Sequence, residues 1–267
     1  MFPLAVQIPG IALSDEKAFV ERLKVLSHHK FMGIEYTPLL DMDKEDAAKV
    51  KRLCSDHNLR VTRIASGGLA VREKLSLSDS GETGKKTVSR LKDFIDYAAE
   101  LNAAIVMGFI KGPAGLNKQE AAKVFTENLL QVSAVAARKN VILVIESTNH
   151  YETSVACNLA ESVALLQAIN PEGMQILPDT YHMNIEEANL CAMLCKYRDY
   201  YSAVHLSDNN RFFPGYGALD FKQIISALAH AGFQGYLGLE GNIKKSFADD
   251  MRLFCDMYSV IERSIQS

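Results

Sequence analysis

The stretch MQILPDTYHMNIEE (174–187) runs an apolar segment, MQIL, directly into Pro178 and Asp179, places His182 three residues later, and then takes on a helical pattern. A buried strand that gives way to a ligand-type acid is a single observation. Its weight depends on whether other strands end the same way. Short runs of β-rich composition recur along the chain: LAVQI (4–8), GIEYT (33–37), RVTRIAS (60–66), AIVMGFI (104–110), VILVIES (141–147), MQILPD (174–179), SAVHLS (202–207) and YLGLEG (236–241). Between them lie longer amphipathic stretches such as DEKAFVERLKVLSHH, TVSRLKDFIDYAAEL and KQEAAKVFTENLLQVSAVAARK, and FADDMRLFCDMYSVIERSI follows the last. No linker or low-complexity segment interrupts the alternation.

Strands that are apolar on both faces and are each followed by a helix predict a parallel sheet covered by helices. Eight such units in about 250 residues is the usual size of a (β/α)8 TIM barrel, so one α/β barrel domain is expected over residues 1–267. A doubly wound open sheet would carry a glycine-rich phosphate turn after its first strand, and QIPGIALSD (7–15) has no GxGxxG spacing.

In a barrel the C-terminal ends of the strands converge on one mouth. The fifth run ends with Glu146, the sixth with Asp179, the seventh carries His205 and the eighth Glu240. Each has a plain structural reading: Asp179 as a helix cap, Glu146 paired with a lysine, His205 as a hydrogen-bonded core histidine. Together, three carboxylates gathered at one rim would repel one another, and a divalent cation removes that cost. Three oxygen ligands and one imidazole favour Mn²⁺, Mg²⁺ or Co²⁺, with Zn²⁺ as a further candidate, and with open coordination positions. Such positions suit a hydroxyketone that chelates through adjacent oxygens and forms an enediolate as a proton leaves carbon. The fifth and eighth strands stand three steps apart in a ring of eight, so Glu146 and Glu240 should face each other as base and acid.

The chain of 267 residues has a net charge of −3 and is 48% hydrophobic, as expected of a soluble globular protein. Charge is not segregated along it, so neither nucleic acid nor a membrane surface is expected as a partner. The opening MFPLAVQIPGIAL lacks a basic leader and a cleavage site and is broken by Pro and Gly; it reads as a first strand in a cytoplasmic protein. The five cysteines, in no zinc-like or redox-like spacing, read as free thiols. Cys191 and Cys195 could share a helix face as a metal pair, but their apolar neighbours favour a core role.

The motifs IESTNHYE (145–152), DTYHMNIEE (179–187), HLSDNNRFFPGYGALDF (205–221) and LEG (239–241) resemble the xylose-isomerase-like barrels of the sugar phosphate isomerase/epimerase superfamily, especially the ketose 3-epimerases related to D-tagatose 3-epimerase. The resemblance implies one divalent metal ion, preferably Mn²⁺, held by Glu146, Asp179, His205 and Glu240. It implies that Glu146 and Glu240 exchange the C3 proton of a keto sugar or sugar phosphate, and that Glu152, His182 and Arg211 hold its hydroxyl and carbonyl oxygens. It also implies a homodimer or homotetramer. Read alone, Glu152 is a solvated loop acid, His182 caps a helix beginning near Ile185, and Arg211 is a surface charge. The chain departs from such relatives in having no tryptophan, which leaves Phe109, Phe212 or Tyr216 to wall a sugar, and in carrying His150 where arginine is common.

Hydroxypyruvate isomerase and inosose dehydratase chemistry use similar sites and stand as alternatives, as does a barrel that binds sugar without turnover. An apurinic endonuclease shares the D-x-x-H pattern of Asp179 and His182, but would need further histidines and a basic stripe. GFIKGPAG (108–115) offers Lys111 and backbone N–H groups to a phosphate, against the simpler reading of a glycine-punctuated turn. GGLAVREKLSLSDSGETG (67–84) is long for a strand-to-helix connection and reads as a substrate lid or a mobile surface loop. Lys85–Lys86 and Lys244–Lys245 read as solvated charge runs.

Overall fold

Every one of the eight β-rich runs forms a strand, generally shorter than its apolar pattern, in a computed structural model that describes residues 2–8, 15–37, 44–169 and 173–266. Residues 9–13 of the opening apolar stretch, and most of QIPGIALSD, lie outside the described residues. The strands are β1 (Leu4–Gln7), β2 (Gly33–Tyr36), β3 (Arg60–Ala65), β4 (Ala104–Met107), β5 (Leu143–Glu146), β6 (Met174–Leu177), β7 (Ala203–Leu206) and β8 (Tyr236–Leu239). The helices between and after them are α1 (Glu16–His28), α2 (Lys44–Ser55), α3 (Gly67–Glu73), α4 (Glu82–Leu101), α5 (Lys118–Arg138), α6 (Leu159–Ile169), α7 (Thr180–Glu186), α8 (Leu190–Lys196), α9 (Phe221–His230) and α10 (Phe247–Gln266).

All strand pairs are parallel, in the order β6-β5-β4-β3-β2-β1-β8-β7. The ring closes at the mouth rather than along its height: β6 and β7 meet through a bridge between Asp179 and His205, where His205 N donates to Pro178 O at 2.8 Å. The result is a nearly closed (β/α)8 barrel, as the alternation predicts.

Strand side chains alternate in and out, and this divides the core in two. Outward residues such as Ile105, Ile145, Ile176, Val204 and Leu206 join the large cluster beneath the helices, while Val106, Val144, Leu177 and Ala203 form a smaller one with Tyr236 beside it. Helix α4 shows why the outer layer is helical: Val88, Leu91, Phe94, Ile95, Ala98 and Leu101 are buried at helical spacing, and Asn102 ends the helix in the left-handed conformation. Each large apolar side chain so buried contributes about 1.5–3 kcal/mol.

The stretch 67–84 is not a free lid. Its first part is α3, and the remainder is pinned down: Ser76 N donates to Thr87 Oγ1 at 2.9 Å, Leu77 N to Ile110 O at 2.8 Å, and Asn128 Nδ2 to Leu77 O at 2.8 Å. Leu75 and Leu77 are buried in the core. The polar composition that reads as a loop hides a short helix and two apolar anchors.

Candidate metal and substrate site

The period of two that divides the core also builds the site. Counting by twos puts Glu146 on the face of Val144, Asp179 on that of Leu177, His205 on that of Ala203, and Glu240 on that of Tyr236 and Gly238. One ligand atom from each of Glu146, Asp179, His205 and Glu240 lies within 4.8 Å of the others, and the four are buried or nearly so. His205 Nδ1 sits 2.6 Å from Glu240 Oε2, 3.7 Å from Glu146 Oε1 and 3.8 Å from Asp179 Oδ2. Both His205 Nδ1 and Glu240 Oε2 are buried without a hydrogen-bond partner of proper geometry. Two orphaned buried atoms inside a ring of acids, an imidazole nitrogen and a carboxylate oxygen, are what a divalent cation would satisfy, so the set fits such an ion. Burial alone would push the His205 imidazole down, but Glu35 and Glu240 hold it well above the usual histidine range, and a cation at Nδ1 would take the place of the ring's second proton.

Asp179 fulfils both readings at once. Its Oδ1 accepts from Tyr181 N at 2.7 Å and His182 N at 3.3 Å, capping α7, and its Oδ2 faces the cluster. The helix therefore starts at Thr180, not near Ile185, and His182 lies in its first turn, buried, rather than capping it. Asn149 fixes the ring of His182: Nδ2 donates to His182 Nδ1 at 2.7 Å and to Glu152 Oε1 at 3.1 Å, while Oδ1 accepts from Tyr151 N at 3.0 Å. With Nδ1 an acceptor, the neutral ring carries its proton on Nε2. Glu152 is 4.0 Å from His182 Nδ1 and about one quarter exposed, at 27%.

Arg211 is no surface charge. It donates to Asp179 Oδ2 at 2.8 Å and to Glu240 Oε1 at 2.6 Å, and its guanidinium lies over the Tyr181 ring at 4.8 Å from the centroid. Burial would lower it, but Glu240 and Asp179 raise it further above its ordinary value. Glu240 is in turn held well below the usual carboxylate range, because Arg211 and His205 outweigh the effect of burial.

Several residues that the site depends on were not singled out in the sequence. Asp208, fully buried, folds the loop that carries Arg211: its carboxylate accepts from Asn209 N, Gly215 N, Gly217 N and Leu219 N at 2.8–3.2 Å. Arg211 itself has φ +63°, a conformation that this loop must impose on a non-glycine residue. Gly108, directly after β4, lies so close to the acid that a Cβ there would clash with Glu146 Oε2. On β2, Glu35 is buried and contacts His205 Nε2 at 2.6 Å. A carboxylate in the middle of the apolar run GIEYT was a readable signal, since an unpaired buried acid is rare.

The Lys111 side chain is turned into the protein rather than presented at the surface. It is fully buried, with Nζ donating to Glu146 O at 2.5 Å and Ala156 O at 3.1 Å, and burial brings it down to about 8. His150 pairs with Glu186 and packs on Tyr151 at 4.0 Å. Of the aromatic residues considered as a sugar wall, Phe109 is 46% exposed, while Phe212 is covered by Lys244 and packs edge-on against Tyr216. Cys191 and Cys195 are free, and the four-residue cluster is the metal-type grouping found among the described residues.

The xylose isomerase-like TIM barrel family profile matches residues 23–257. The chain belongs to that family. It is 36% identical to 3-dehydro-D-guloside 4-epimerase of Escherichia coli K12 over 122 residues, which make up 46% of this chain and 47% of that relative. It is 28% identical to a ketose 3-epimerase of Arthrobacter globiformis over 80% of this chain and 74% of the relative. The apo crystal structure of 3-keto-D-glucoside 4-epimerase from E. coli superimposes with a TM-score of 0.80, covering 98% of this chain and 100% of that one at 24% identity, which establishes the shared fold.

Proposed function

We propose that this protein is a metal-dependent sugar epimerase that moves a proton at the carbon beside a ketone, with Glu146 and Glu240 as the acid–base pair. The observation that carries the reading is the cluster of Glu146, Asp179, His205 and Glu240, with ligand atoms within 4.8 Å of one another and two of them orphaned in the interior. A divalent ion held by these four, Mn²⁺ by preference, supplies Lewis-acid polarisation of two adjacent substrate oxygens. Glu146 and Glu240 come from β5 and from the end of β8, so a sugar placed between them meets a carboxylate on each side. One takes the proton from carbon; the other returns it on the opposite face, inverting the centre.

His182 offers its Nε2–H to a substrate carbonyl or hydroxyl, because Asn149 occupies its other nitrogen. Glu152, in the same hydrogen-bonded group, accepts from a substrate hydroxyl. Arg211 binds Asp179 Oδ2 and Glu240 Oε1 and positions Glu240 before substrate arrives. The substrate is a keto sugar, and the enclosure of Lys111 by carbonyl oxygens favours an unphosphorylated one. For a free ketose the reaction is C3 epimerisation. The likeness to 3-dehydro-D-guloside 4-epimerase favours a second substrate, a 3-keto-glycoside epimerised at C4 by the same proton transfer. A cytoplasmic homodimer or homotetramer completes the reading, in keeping with the free cysteines. No helix among the described residues is long and apolar enough to cross a membrane.

The test is a panel of ketopentoses, ketohexoses, their phosphates and 3-keto-glycosides, incubated in D2O with stripped protein and added Mn²⁺, Co²⁺ or Mg²⁺. Metal-dependent deuterium incorporation at the carbon beside the ketone is expected for at least one sugar. Inertness across the panel with every ion would end the reading.

A further inference from the structure

Beneath the four-residue cluster, on the interior side of the barrel, lies a second charged group for which metal ligation and substrate binding have no need. Glu35 on β2 and Arg63 on β3 are both almost completely buried, at 2% exposure each. The β2–β3 ladder would not by itself set them opposite each other. It runs Gly33 to Arg60 and Ile34 to Val61, then slips by one residue so that Glu35 stands opposite Arg63. A bulge of this kind re-aims side chains, and here it brings an acid and a base together inside the barrel.

Glu35 then reaches past β1 and β8 to β7. Its Oε1 accepts from Arg63 at 3.3 Å and from Tyr236 Oη at 3.1 Å, and its Oε2 accepts from His205 Nε2 at 2.6 Å. Tyr236 also contacts Arg63 directly, with the guanidinium over its ring. The crossing needs an empty lane, and Gly238 on β8 supplies it. A Cβ at that position would stand 2.9 Å from Glu35 Oε1 and 3.0 Å from His205 Cδ2.

We infer that Glu35 is a positioning residue: by accepting from Nε2–H it fixes the tautomer and ring plane of His205, so that the lone pair of Nδ1 is aimed at the cation, with Arg63, Tyr236 and Gly238 holding Glu35 in place. The inference rests on the metal-site reading above. An imidazole whose far nitrogen donates to a carboxylate is a stronger and better oriented ligand, and losing such a partner lowers metal affinity by about 10–100-fold.

The measurement is Mn²⁺ affinity, read without substrate from loss of the free-ion EPR signal, on the parent, Glu35→Gln and Glu35→Ala. Binding by the parent and a loss of about 10–100-fold in the Glu35 variants is expected, with metal-free Glu35→Gln unfolding near the parent temperature because it keeps the shape. A parent that binds no Mn²⁺, Co²⁺ or Mg²⁺ would overturn the metal site itself and this inference with it. A parent that binds, with Glu35→Gln and Glu35→Ala within twofold of it, would overturn the role of Glu35 alone. Should the variants fail to fold, the parent decides: loaded with diamagnetic Mg²⁺, its two-bond ¹H–¹⁵N spectrum should show His205 protonated on Nε2 only, and a ring protonated on Nδ1 overturns the inference.

Discussion

The two halves of the barrel do different work at the same site. Strands β5–β8 present the four side chains of the cluster, one from the end of each strand, whereas β1–β4 contribute none of them. What the first half contributes is support. Gly108 leaves room for the Glu146 carboxylate, Lys111 ties the Glu146 carbonyl to Ala156, and Glu35 and Arg63 brace His205 from beneath. A barrel makes this division natural, because every strand end opens on the same mouth while inward side chains lower in the strands meet across the interior. The comparison suggests that changes in the second half should abolish chemistry, while changes in the first should alter affinity and stability.

The largest expected effect tests the second half. Glu146→Gln and Glu240→Gln should each lower solvent exchange at the reacting carbon by about 10²–10⁴-fold while the protein stays folded; the check is deuterium incorporation by NMR. Parent-like exchange in both variants would remove the division. Next comes Asp208→Ala, which leaves four loop N–H groups without their shared acceptor. It should cost about 2–4 kcal/mol in urea unfolding and reduce activity as well, because Arg211 depends on that loop.

The smallest effect sharpens the description of the first half. Lys111→Met should destabilise by about 1–3 kcal/mol, since two buried carbonyls lose their donor. Its pH dependence has a definite sign. The folded Lys111 titrates at about 8 against an ordinary 10.5, so between those values the unfolded chain binds more protons and stability gains with rising pH. Below about 8 both states are protonated and this contribution is flat. The parent-minus-variant difference in unfolding free energy should therefore rise from pH 8 to 10.5, and a flat difference would overturn the lowering of Lys111 by burial.

The sequence by itself determined the barrel and the four mouth residues, because alternation of strands with helices and the identity of a strand's last inward residue are local patterns. It also marked His182, Arg211 and Glu152, through motifs whose spacing resembles that of sugar epimerases. Tertiary structure alone decided how they are held. Asp179 divides its two oxygens between a helix cap and the cluster, Lys111 turns inward to backbone carbonyls, and residues 67–84 pack as a helix and anchored turn. Glu35 meets His205 across 170 positions of chain, through a bulge in β2–β3 and an empty lane at Gly238. Contacts of that kind are set by register and by the closure of the ring, which no local pattern of residues encodes.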